Sequence, residues 1–172
     1  MFIHKISVAV VACGLLLASA LSFTQDHRGP STAEERRRAL QFIQNFQSDP
    51  LSPQSAQEFE WVLKWIADVP DVHVHVCLVL DKLPKGGKKD SSTIFSAELL
   101  SQTAFEIQNP DRQDDRLAEY QAGVEGALHV YEVLLKANPK DRQPYLDDLI
   151  QRRDAGTLAQ FVKESAAANC KN

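Results

Sequence analysis

Leu117, Tyr120, Val124, Leu128, Tyr131 and Leu135 follow one another at steps of three or four residues within the segment 114–137. That period is the turn of an α-helix, and it puts all of them on one stripe. The same spacing recurs along the chain. Leu40, Phe42, Ile43 and Phe46 carry it in 31–47, and Phe59, Val62, Leu63 and Ile66 carry it after Ser52-Pro53. Phe95, Leu99, Leu100 and Phe105 carry it in 94–108; two shorter segments, 141–155 and 158–168, follow. Such a chain is expected to fold as an all-α protein, an irregular bundle of roughly five or six helices.

Local signals mark the helix ends. Ser31-Thr32-Ala33-Glu34 has the spacing of a capping box, and Ser52 can cap a helix that starts at Pro53. Pro70 closes that helix, and Gly156 offers a left-handed stop to the segment before it. Ala118, Ala122 and Gly126 repeat small side chains every four residues, with Gly123 and Ala127 beside them. Glycine inside a helix costs about 1 kcal/mol relative to alanine, so a neighbouring helix is expected to approach closely on that face. Glu125 lies between these glycines and is the acid singled out there, with an exposed position as the simpler reading.

One stretch breaks the helical period. In Pro70-Asp71-Val72-His73-Val74-His75-Val76-Cys77-Leu78, His73, His75 and Cys77 alternate with valines. If extended, residues 72–78 place those three on one face, where imidazole and thiolate could share a zinc ion. The set is short of ligands, however, and there is no His-Glu-x-x-His and no second Cys pair. Cys77 also has a competing partner in Cys170. The expectation is therefore a Cys77–Cys170 disulfide stapling the extended segment to the C-terminus, with no metal and no cofactor. The alternative is a metal site of His73, His75 and Cys77.

The disulfide reading leans on export. Lys5, an apolar run over 6–17 and Ala18-Ser19-Ala20 have the order of a secretory signal peptide, expected to be cut between Ala20 and Ser22. A lipid-modified Cys13 is the lesser alternative, because Gly14-Leu15-Leu16-Leu17 would leave an oily new terminus. Residues 1–22 then form the signal, 23–30 a loose leader and 31–172 one helical domain. The protein is expected in the periplasm or the medium, where oxidation of Cys77 and Cys170 is the default. No membrane span should remain.

Removing Lys5 with the signal takes the net charge from −4 to −5. No positive field holds a polyanion, which disfavours nucleic acid. Arg36-Arg37-Arg38 reads as a solvated face beside Glu34 and Glu35. Lys85-Gly86-Gly87-Lys88-Lys89 lacks phosphate-loop spacing. Asp114-Asp115 and Asp147-Asp148 diverge by about 100° on a helix, as neighbours in a 3.6-residue turn must. Trp61 and Trp65, four apart, are core by default and a candidate binding face if exposed.

Asn109-Pro110-Asp111-Arg112-Gln113 is echoed by Asn138-Pro139-Lys140-Asp141-Arg142-Gln143. Ala127, Tyr131, Leu134 and Pro139 are spaced similarly to the second helix of a tetratricopeptide repeat. Asp111, Asp114 and Asp115 stand where the first helix would need an aromatic, a leucine and a glycine. The echo therefore reads as ordinary antiparallel packing. With no complete catalytic set in view, the expected role is a non-enzymatic module that binds another envelope or secreted protein. An exported metal-dependent enzyme using His73 and His75 comes second, and a helical-repeat adaptor third.

Overall fold

The computed structural model describes residues 28–83 and 90–170. The signal segment, Cys13, most of the leader and Lys85-Gly86-Gly87-Lys88-Lys89 lie outside them. Six α-helices are present: α1 (Ala33–Ser48), α2 (Ser55–Asp68), α3 (Ser91–Gln108), α4 (Arg116–Ala137), α5 (Pro144–Asp154) and α6 (Leu158–Asn169). The all-α expectation holds, with no strand among the described residues. None of these helices is long and apolar enough to cross a membrane.

Helix α4 is the centre of the bundle and packs on α1, α3, α5 and α6. It is buried on several sides: Tyr120, Val124, Ala127, Leu128, Val130, Tyr131 and Leu134 all enter the core. The expected close approach involves α3. A Cβ on Gly123 would lie 2.8 Å from Gln102 Cγ, and one on Gly126 would collide with Ser101 Oγ. Only glycine admits α3 at this distance. On the other side, Arg153 makes a bidentate pair with Glu132 at 2.8 and 2.9 Å, fixing α5 to α4. The Tyr131 hydroxyl accepts from Gln143 N–H at 2.7 Å and donates to Asp147 at 2.9 Å.

Two helix starts are displaced from their expected positions. The box on α1 is Thr32 with Glu35, one residue later than Ser31 with Glu34, because Ser31 is engaged elsewhere. Its N–H and hydroxyl donate to Asp71 at 2.6 and 2.7 Å. Helix α2 begins at Ser55 rather than Pro53, because Ser55 N–H donates to Ser52 O and closes a turn first. Gly156 does take a left-handed φ of 72°. Thr157 N–H then reaches Arg152 O at 2.8 Å, sealing the end of α5. Both Asn-Pro echoes fold as single 3₁₀ turns, Pro110–Arg112 and Pro139–Asp141.

After α2, residues 69–83 run over the bundle as a strap, with neither helix nor ladder partners through 72–78. Asp71 O accepts from Gln113 Nε2 at 2.9 Å, and Val79 O accepts from Ser165 Oγ at 2.7 Å. Cys77 is bonded to Cys170, as expected, with 5.4 Å between Cα atoms and a separation of 93 positions in sequence. Closing so long a loop constrains the unfolded chain most. Cys77→Ser should lower stability by about 2–4 kcal/mol. Cys170→Ser should match it and the double variant should be no worse, because one bond is lost in each case. Chemical denaturation of the three proteins checks this; unequal single variants would contradict it.

Candidate functional site

The close α3–α4 contact buries polar side chains. Glu98, Gln102 and Glu106 recur every four residues on α3, where Gln102 and Ser101 meet Gly123 and Gly126 of α4. Glu98 is 3 % exposed, Glu106 1 % and Glu119, in the first turn of α4, 0 %. Three carboxyl groups in one small domain are unusual, since a buried charge is costly unless it is paired.

They are not equivalent. Glu119 is fully engaged by the strap: His75 N–H donates to Oε1 at 2.7 Å, and His75 Nδ1 lies 2.7 Å from Oε2. One carboxylate thus holds the residue by its backbone and its ring, and the positive end of α4 lies close by. Glu106 has no hydrogen-bond partner for either oxygen among the described residues, and Glu98 lacks one for Oε1. Burial pushes Glu98 up to about 8. Burial, then the charges of Glu119 and Asp114, push Glu106 up to about 7. Both are uncharged in mild acid, which is how an unpaired carboxyl tolerates the interior.

The residues named from sequence are placed as follows. His75 is about one-third exposed and paired with Glu119. His73 points outward and Cys77 is in the disulfide, so the two do not join His75. Among the described residues no group of three His, Cys, Asp or Glu could hold a metal ion. Trp65 is 2 % exposed and packs with Ala39, Val69 and Val72. Trp61 stacks on it at 5.9 Å, with the Arg38 guanidinium 3.8 Å from the Trp61 ring centroid.

Arg36 donates to Ser31 O at 3.1 Å, Arg37 pairs with Glu34, and Arg38 pairs with Glu58. Burial works against the charge of Asp71, but the Ser31 donors and Arg36 together hold its carboxyl below the usual range. Glu125 is exposed and accepts from Gln121 at 2.9 Å. It sits on the rim of a groove of about 910 Å³ between α1, α3 and α4, shared with Gln41, Gln44, Phe105 and Gln108. Arg36, Arg37 and apolar side chains line it as well, and no reactive set converges there among the described residues.

Glu98, Glu106 and Glu119 were missed in the sequence. The partial signal was the four-residue spacing of Glu98, Gln102 and Glu106, opposite a stripe of small residues that was itself legible. The chain matches no family model, no curated protein and no solved structure.

Glu98 gives a pH test. Its carboxyl is raised from 4.5 to about 8 in the folded state. Burial therefore costs nothing below the unfolded value, and stability falls as pH rises from there to about 8. Glu98→Gln should be close to neutral near pH 4.5 and stabilising by about 2–4 kcal/mol near pH 8.5. Thermal melts at the two pH values check this; equal effects at both would contradict it.

Proposed function

We propose that the chain is a small exported helical protein that works by binding another envelope or secreted protein, and that residues 72–78 are the face it offers. The observation that supports this is the strap. Seven consecutive residues carry no helix and no ladder partner among the described residues, and Val76 and Leu78 are 68 % and 54 % exposed. Backbone groups outside helix and sheet are open to pairing with a partner's strand, with outward side chains supplying selectivity. Anchors at Asp71, His75, Cys77 and Val79 order it in advance, which lowers the entropy cost of association.

A metal-dependent enzyme is the second reading. Its support is the Glu119–His75 pair, since a carboxylate that orients an imidazole is the usual outer support of a metal ligand. That reading needs further ligands from outside the described residues. A helical-repeat adaptor draws only on the paired Asn-Pro turns.

The test is capture from an envelope fraction of the native host, followed by affinity measurement with the purified partner. Val76→Glu with Leu78→Glu should weaken binding by about tenfold or more, a difference of 1.4 kcal/mol or above, without lowering the melting temperature. Leu51→Glu and Leu63→Glu change apolar residues that are also exposed, at 60 % and 40 %, and should bind as wild type. Strap variants that bind normally would overturn the proposal. So would a hydrolytic activity lost on His75→Ala.

A further inference from the structure

Glu119 ties the strap down and also fixes which edge of the His75 ring faces water. The carboxylate is fully buried, and its Oε1 accepts the His75 backbone N–H at 2.7 Å. Oε2, 2.7 Å from Nδ1, then accepts the Nδ1 proton, so the lone pair of the neutral ring sits at Nε2 on the opposite edge. The His75 side chain is 30 % exposed, and Nε2 has no hydrogen-bond partner among the described residues. A carboxylate on the other ring nitrogen is the usual outer support of an imidazole that binds a metal. The chain is fixed on either side: Val72 packs with Ala39, Trp65 and Val69, and Cys77 is bonded to Cys170. His73 lies between them, exposed and without a hydrogen bond among the described residues. Its Cα is within about 7 Å of that of His75, since consecutive Cα atoms are about 3.8 Å apart. The unheld His73 side chain can therefore turn its ring to an ion seated on His75.

We infer that His73 and His75 together hold one divalent transition-metal ion, with Glu119 as the outer support that fixes His75. Two imidazoles and no thiolate define the class of ion. Cys77 is tied up in the disulfide, so the soft ligand that the sequence offered is removed. Imidazole suits copper, nickel and zinc, whereas magnesium and calcium take oxygen ligands. Of the first group copper(II) binds a given nitrogen set most tightly, with water completing its coordination. Structural metal sites close on four protein ligands. A site with two leaves the ion exchangeable, which suits capture and hand-over rather than support of the fold. The inference concerns ion binding at His73 and His75, and it stands whether or not a protein partner docks at Val76 and Leu78.

Titration of copper(II) into the full mature protein, in a weakly coordinating buffer, tests this. Binding should saturate at one ion per chain, with imidazole nitrogen visible by electron paramagnetic resonance, and excess magnesium should not compete. His73→Ala and His75→Ala should each weaken binding by at least about tenfold. His129→Ala, which removes an exposed histidine of α4, should leave it unchanged. His73 is exposed, so its variant should melt as wild type and its loss of binding is not misfolding. Glu119→Gln separates support of a ligand from mere anchoring. Its amide oxygen must face the His75 N–H, which aims the amide NH₂ at Nδ1 and moves the ring proton to Nε2. Binding should then fall by about 10–100-fold, and long-range nitrogen NMR should report the switched tautomer. The inference is overturned if copper(II) does not saturate at one ion per chain, or if His73→Ala, His75→Ala or Glu119→Gln binds as wild type. It is also overturned if wild-type His75 carries its ring proton on Nε2.

Discussion

The close approach of α3 to α4 at Gly123 and Gly126 is the contact on which the remaining features depend. Glycine is a poor helix residue, and two of them in α4 exchange propensity for proximity. Proximity makes α4 the central helix and covers its face with Ser101 and Gln102 instead of water. It also places Glu98 and Glu106 in the interior. Burial holds both carboxyls above the usual range, so this close-packed interface carries a pH dependence.

The strap adds the second constraint. A chain that leaves α2 at Asp68 crosses the bundle through 72–78 without helix or ladder partners. Four kinds of anchor replace a sheet: the Ser31–Asp71 hydrogen bonds, the Glu119–His75 contact, the disulfide and the Ser165–Val79 bond. Each joins residues far apart in sequence. The outward side chains Val76 and Leu78 are consequently presented on a fixed frame, the property that favours a binding role over a flexible loop.

The helices were legible because a 3.6-residue apolar period needs no knowledge of partners. The disulfide was legible because two cysteines outlast the proposed signal and neither has a rival. Helix starts were less so: the α1 cap shifted by one residue because Asp71, forty positions away, claims Ser31. The buried carboxyls were illegible for the same reason. Glutamate at Glu98, Glu106 or Glu119 reads as a solvated helix face until the opposing helix is known. His75 was noticed as a ligand type, but its actual partner lies 44 residues on in an unremarked first turn.

The most direct measurement is the stability of Gly126→Ala and Gly123→Ala. In an open helix position either change should stabilise by about 1 kcal/mol through propensity. The close contact with Ser101 and Gln102 predicts the opposite sign, a loss of about 1–3 kcal/mol through overpacking, larger at Gly126 where the collision is worse. Restoration of Gly126→Ala by Ser101→Gly would tie that loss to the contact itself. A gain in stability at both glycines would contradict the close-packed interface and everything placed upon it.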